Sequence, residues 1–299
     1  SIGNFDGVHI GHQAVLAALT ERARAAGLPS LVIIFEPQPL EFFRPEQAPA
    51  RLTRLREKLE AIAACGIDRA LLIRFSAAFA AVDAKAFVRQ VLVGRLGIRH
   101  LYVGDDFRFG KGRAGDYAML ESMGKRYGFA VESLDTVADG GERVSSTRIR
   151  EALEQGDLDH AARCLGRRYR IAGRVAHGNK RGRTIGFPTM NIGLLSRSTP
   201  LRGVFAVQVY CLEDQPLPGI ANIGNRPTLE GDDRFLLEVH LFDYDRDVYG
   251  RHVEVDFVER IREERKFESF DALREQIQRD VQRARQIHRL DAVAHGESR

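Results

Sequence analysis

Apolar positions recur at two different spacings along this chain, and the change of spacing divides it. From residue 11 to about 135, helical and strand patterns alternate. HQAVLAALTERARAAG (12–27) repeats Val15, Leu19 and Ala23 at helical spacing and stops at Gly27. LVIIF (31–35) is short and wholly apolar, the pattern of a strand covered on both faces. TRLREKLEAIAACG (53–66) is helical again, with Leu55, Leu59 and Ile62 on one face. RALLI (69–73), DAKAFVRQVLVGRL (83–96), HLYVG (100–104), DYAMLESMGKRYG (116–128) and FAVESL (129–134) continue the alternation. This order predicts a parallel sheet with helices on both faces, on which ligands bind at the carboxyl ends of the strands. A buried first strand takes about five residues. Only Ser-Ile precedes GNFDG, so part of that strand is expected to lie ahead of Ser1.

After about residue 167 the period shortens. RYRIAGRVAHG, GVFAVQVYCL, RFLLEVHLFDY and RHVEVDFVERI alternate or run apolar between Gly, Pro, Asn and Asp, which predicts a small antiparallel barrel or sandwich. FDALREQIQRDVQRARQIH (270–288) closes the pattern as an amphipathic helix with Leu273, Ile277 and Val281 on one face. Between the halves, STRIREALEQGDLDHAARCLGRR (146–168) reads as two short helices broken at Gly156-Asp157. The expected domains are therefore 1–166, including the helical connector 146–166, and 167–299.

Composition narrows the function classes. Of 299 residues 44% are hydrophobic, and the formal net charge is only +4, so no strong sequence-independent attraction to nucleic acid is implied. No apolar run approaches the ~18 residues that would span a bilayer. Cys65, Cys164 and Cys211 share no metal-ligand spacing and are expected to be small buried hydrophobes in a reducing cytoplasm, not a disulfide framework. The expected partners are anionic small molecules, with neither nucleic acid nor membrane, and the chain is expected to be a monomer or a weak homo-oligomer.

GNFDGVHIGH (3–12) places His9 and His12 three apart at a helix start, with Gly11 between them allowing close backbone approach. Unpaired N–H groups and the positive end of the helix dipole favour polyphosphate there. Imidazole donors would stabilise charge growing on a leaving pyrophosphate. Zinc is the weaker reading, because the zincin pattern is an i, i+4 pair with a Glu; two surface histidines near a cap is the plainest one. ERVSSTRIREAL (142–153) puts Ser145, Ser146 and Thr147 at another helix start. Arginine in the first turn there opposes the dipole unless an anion compensates it. Arg143 could grip the same anion.

In AHGNKRGRTIGFPTMNI (176–192), Lys180, Arg181 and Arg183 offer donors, and Gly178, Gly182 and Gly186 permit close approach to phosphate, without Walker spacing. Thr189 and Asn191, two apart on an extended segment, share a face and could complete the oxygen sphere of Mg²⁺. A turn with ordinary polar decoration explains the same residues. Glu238, within FLLEVHLFD, could take a proton from an attacking hydroxyl, or simply face solvent.

GNFDGVHIGH, FEPQP (35–39), VGDDFRFG (103–110) and VSSTRIR (144–150) together resemble the motifs of the bacterial bifunctional riboflavin kinase/FMN adenylyltransferase family. GRTIGFPTMNI, GIANIGNRPT (219–228), LEVHLFDYDRDVYG (237–250) and IREERKFESFDALREQI (261–277) resemble its kinase domain. Met190 stands where the family's Pro-Thr-Ala-Asn signature has a small residue, and is expected to point away from the ligating face. The resemblance implies α/β plus β. The front part would be a Rossmann-like parallel α/β nucleotidyltransferase domain. A six-stranded antiparallel β-barrel kinase domain with a terminal helix would follow. It implies phosphorylation of riboflavin by ATP and Mg²⁺ in the second half, and adenylylation of FMN to FAD with release of pyrophosphate in the first. By the match, His9 and His12 stabilise the ATP phosphates. Gly3, Phe5, Asp6, Gly11, Asp106, Arg143, Ser146, Thr147 and Arg150 bind or orient nucleotide or flavin phosphate. Glu238 is the general base, Thr189 and Asn191 are the metal ligands, and Pro188 and Arg262 lie against nucleotide or flavin. A nucleotidyltransferase for another acceptor leaves the second half unexplained, and a flavin- or RNA-binding regulator leaves the retained catalytic residues unexplained.

Overall fold

The computed structural model describes residues 1–133, 136–176, 187–194, 199–226 and 234–294. The chain packs as two units, Ser1–Pro49 with Arg54–Val144, and Ala50–Thr53 with Ser145–Arg299.

The first unit begins with helix α1 (Ile10–Ala25), strand β1 (Leu31–Glu36) and helices α2 (Pro39–Phe43) and α3 (Leu55–Ala64). Strand β2 (Arg69–Arg74), helix α4 (Ala77–Ala80) and helix α5 (Ala84–Phe87) follow, the last running into a wider π turn, Val88–Val93. Then come β3 (His100–Tyr102), α6 (Tyr117–Tyr127), β4 (Ala130–Glu132) and a two-residue hairpin of β5 (Ala138–Asp139) and β6 (Glu142–Arg143). β1 pairs in parallel with β2, Ile33 also bridges Ile2 in parallel, and β3 pairs in parallel with β4. The wholly apolar run of β1 is explained by its neighbours. Ile33 packs with Phe87, Leu92 and Leu120 on one side. Val32 and Ile34 pack with Leu16, Leu19 and Ile62 on the other. A strand sandwiched between helix layers must be apolar at every position, not at alternate ones.

Helices α7 (Ser146–Gln155) and α8 (Leu158–Leu165) break where the sequence has Gly156-Asp157. Gly156 is left-handed at φ 76°, and Asp157 caps α8 by accepting from the His160 N–H at 2.9 Å. Arg260 donates to the carbonyls of Glu154 and Gln155, placing a cation at the negative end of α7.

Six strands then close an antiparallel barrel: β7 (Arg170–Ala176), β8 (Met190–Gly193), β9 (Gly203–Tyr210), β10 (Leu217–Arg226), β11 (Arg234–Leu241) and β12 (His252–Arg262). Their order around the barrel is β10-β11-β8-β7-β12-β9. Phe205 and Phe257 meet edge to face at 5.3 Å in the interior. Helix α9 (Phe270–Ala294) covers part of the outer wall, where Val204, Ala206 and Ile220 pack with Ala284 and Ile287. This cover on the outer side leaves β9 buried on both faces along most of its length. Among the described residues no helix is long and apolar enough to cross a membrane.

Candidate functional sites

The loop before α1 turns sharply. Phe5, Gly7 and Val8 have φ of 46°, 82° and 42°. A β-branched residue is strained in that region, and such strain marks a backbone held for a purpose. Gln13 ties the turn down by donating from its side chain to the Val8 carbonyl at 2.8 Å. The turn delivers His9 to the N-cap of α1, where its Nδ1 accepts from the His12 N–H at 3.3 Å. An imidazole nitrogen that accepts carries no proton, so neutral His9 carries its hydrogen on Nε2 and is a donor there. The two rings stack with centroids 3.6 Å apart, and Phe5 meets His12 edge-on at 5.2 Å. Gly11 leaves room for this stack, since a Cβ would stand 3.2 Å from the His9 ring.

Burial holds the His9 imidazole down to about 4, with Arg143 acting in the same direction and Asp6 against it. His12 lies well below its ordinary value because of burial, then His9, then the ammonium of Lys58. Both rings are therefore neutral N–H donors near neutral pH. Lys58, on the apolar stripe of α3, is fully buried. Its place between Leu55 and Ile62 at helical spacing was the signal for it. His12 Nδ1 is buried and has no hydrogen-bond partner among the described residues.

Asp6 is buried beside this pair, whereas Asp106 and Arg143 are exposed and form an ion pair at 3.5 Å. Gly3 donates to the Ile33 carbonyl at 3.1 Å, fixing the loop to β1. Behind FEPQP lies a feature that motif reading missed. Phe35, Phe42, Phe43, Phe75 and Phe79 form one cluster of mainly edge-to-face contacts, with Phe43 60% exposed. The signal was Phe42-Phe43 on a helix too short to bury them. In the second unit, Ser145 caps α7 by accepting from the Arg148 N–H at 3.2 Å. Ser146 and Thr147 open the helix, and Arg150 donates to the Ala50 carbonyl at 2.6 Å.

The second constellation sits on the barrel's outer wall. Register puts Glu238 of β11 directly opposite Asn191 of β8 and, on its other side, opposite Asn222 of β10. Directly paired residues of antiparallel strands share a face with Cβ atoms about 5 Å apart. Met190 pairs with Val239 and is buried on the other face. Glu238, Thr189 and Asn222 line a cavity of about 550 Å³, the size of a small-molecule site. Phe187, Leu236, Phe267 and Ile277 give it an apolar and aromatic face, and His240, Arg262, Glu264, Arg265 and Asp280 add charged and polar groups. A second cavity of about 430 Å³ is lined by Pro188, Thr189, Tyr244, Asp245 and Arg246, so Thr189 belongs to both.

Asn191 Oδ1 is buried with no hydrogen-bond partner among the described residues. An orphaned buried carbonyl oxygen beside a hydroxyl and near a carboxylate suits a hard divalent cation. Arg262 ends β12 at the cavity, where Asp280 of α9 accepts from it at 2.8 Å and the Phe267 ring lies 5.6 Å from its guanidinium. Asp280, itself held by Gln276 at 2.7 Å, is another residue that motif reading passed over. Gly178, Lys180, Arg181, Gly182, Arg183 and Gly186 lie outside the described residues.

A family model for FAD synthetase matches residues 1–148, and one for riboflavin kinase matches residues 165–288. The chain is 51% identical over 294 residues to the bifunctional riboflavin kinase/FMN adenylyltransferase of Escherichia coli K12, covering 98% of this chain and 94% of that one. The protein of the same name from Haemophilus influenzae is 48% identical over 285 residues, covering 95% and 92%. A crystal structure from Streptococcus pneumoniae, titled as a macrolide-efflux protein, superposes with a TM-score of 0.77 at 32% identity, covering 94% of this chain and 92% of that one. With two strand arrangements, two sets of gathered polar residues and relatives matching nearly end to end, this chain belongs to the bifunctional riboflavin kinase/FMN adenylyltransferase family.

Proposed function

We infer that this chain makes FAD in two steps. Residues 167–299 transfer the γ-phosphoryl group of ATP to riboflavin, and residues 1–166 transfer AMP from a second ATP to the FMN so formed. The observation that carries the kinase reading is the register that sets Asn191 beside Glu238, which itself lines a cavity of ligand size. Riboflavin's ring system suits the aromatic cavity, and ATP suits the polar one across Thr189. Glu238 accepts the proton of the 5′-hydroxyl as that oxygen attacks the γ-phosphorus. The bond from γ-phosphorus to the bridging oxygen breaks, and ADP leaves. Thr189 and Asn191 supply oxygen ligands for Mg²⁺, which when bound neutralises charge on the transferring phosphates. Pro188 and Arg262 frame the acceptor, with Asp280 fixing the arginine. Gly178, Lys180, Arg181, Gly182, Arg183 and Gly186 are assigned to phosphate.

In the first half, an oxygen of the FMN phosphate attacks the α-phosphorus of ATP, and pyrophosphate leaves. No proton transfer is needed, so the chain's contribution is orientation and donation. Two neutral stacked imidazoles at a helix start suit that task, with Nε2–H of His9 as a fixed donor. Gly3, Phe5, Asp6 and Gly11 shape the turn that presents them, and Asp106 and Arg143 orient nucleotide. Ser146, Thr147 and Arg150 are assigned to phosphate at the start of α7. The exposed phenylalanine cluster beside FEPQP offers a face on which a flavin ring can stack.

Chromatography of the products from riboflavin, ATP and Mg²⁺ tests the assignment. Glu238→Gln should abolish FMN formation yet keep adenylylation of supplied FMN, while His12→Ala should stop at FMN. Either substitution silencing both reactions in a folded protein would overturn the division of labour.

A further inference from the structure

His240 lies two residues beyond Glu238 on β11 and lines the same cavity. Its Nδ1 is 2.8 Å from the Pro188 carbonyl oxygen. A carbonyl only accepts, so Nδ1 carries the hydrogen and the ring's tautomer is set by this bond. The same ring stands edge to face on Phe187 at 5.5 Å and on Phe242 at 5.9 Å. One imidazole therefore grips both residues that precede Thr189. Backbone pairing between β8 and β11 ends at Met190 and Val239, short of this segment. Residues 187–189 must reach the right place by side-chain contacts, and His240 provides a hydrogen bond and a ring contact from one residue.

Thr189 is the residue common to the two cavities. A shift of the Pro188 carbonyl moves the adjoining Thr189 backbone and with it the wall between acceptor and donor. We propose that His240 is a positioning residue for phosphoryl transfer: its Nδ1–H fixes Pro188, and through it Thr189, at the partition between the two cavities. The inference rests on the assignment of Thr189, Asn191 and Glu238 to the kinase site. Displacements near 1 Å away from attack geometry cost about 10²-fold in rate. The expected loss therefore falls on kcat more than on KM for riboflavin.

The test measures FMN formation by the full chain with ATP and Mg²⁺. Adenylylation of supplied FMN serves as an internal control, and thermal unfolding midpoints are taken in parallel. His240→Ala should lower kcat about 10- to 100-fold and leave adenylylation unchanged. His240→Asn places an N–H donor where Nδ1 stood and should restore most of the rate. His240→Gln places its amide where Nε2 stood and should not. Wild-type kcat in His240→Ala, or equal rates in the Asn and Gln variants, overturns the proposal. That second comparison holds even if the alanine variant fails to fold. Glu238→Gln run alongside separates the two layers. If it retains the full rate, the site assignment has failed. If it is inactive while His240→Ala is fully active, only the role of His240 has failed.

Discussion

A histidine that must stay neutral is a histidine that makes its protein sensitive to acid. His9 is held at about 4 in the folded chain against an ordinary value of 6.5, with burial as the main cause. Between those values the unfolded chain binds a proton that the folded chain refuses. Stability therefore rises with pH through this window, is fully present above 6.5, and is lost as pH falls toward 4. One such group contributes about 3 kcal/mol across that range. His12 adds to it in the same direction. Urea unfolding of the first unit between pH 4 and 7 should show this slope, and His9→Asn, which keeps an N-cap acceptor, should flatten it. An equal slope in wild type and variant would refute the linkage. The spacing of His9 and His12 was legible in GNFDGVHIGH; their protonation state was not. It depends on Lys58 and Arg143, which come from distant segments, and on a burial that no local window records.

Elements were legible where local chemistry decides them. The break between α7 and α8 needs only a left-handed glycine followed by a capping aspartate, and the sequence carries both. The run Leu31–Phe35 of β1 announced its double burial by having no polar position. Other ends moved. DAKAFVRQVLVGRL reads as one helix, but its α-helical part is Ala84–Phe87, with a π turn over Val88–Val93. Of the strands read as 100–104 and 129–134, His100–Tyr102 pairs with Ala130–Glu132, and Leu134 lies outside the described residues. On α9 the apolar stripe of Leu273, Ile277 and Val281 was visible, but Asp280 beside it reads as a solvated acid until its partner is known. In the fold it is buried and accepts from Arg262, which reaches it from the end of β12. Asp280→Ala leaves that guanidinium without its carboxylate in a site where its side chain is 19% exposed. Breaking one partner of such a pair costs about 3 kcal/mol. The loss should appear as a lower unfolding midpoint of the second unit and as weakened riboflavin phosphorylation. Adenylylation of supplied FMN should be untouched. A variant with wild-type stability and kinase rate would show that the helix is held by its apolar stripe alone.

At the scale of the whole molecule, the question is whether two chemistries on one chain need each other. The imidazole pair, Asp6, Asp106 and Arg143 all belong to the first unit, and Thr189, Asn191, Glu238 and Arg262 all belong to the second. Charge stabilisation acts over a few ångströms, so each reaction is expected to depend on the residues gathered around its own phosphorus. His12→Ala should therefore convert riboflavin to FMN and stop. Asn191→Ala should make nothing from riboflavin but should adenylylate supplied FMN at the wild-type rate. FMN is a small molecule that leaves one site by diffusion and enters another the same way. An equimolar mixture of the two variants should consequently form FAD from riboflavin, after a lag in which FMN accumulates to the level that the second activity requires. Time courses resolved by chromatography measure both the lag and the final rate. If each variant performs its remaining step but the mixture yields no FAD, the intermediate must pass within a single chain. The two halves would then be coupled in space as well as in sequence.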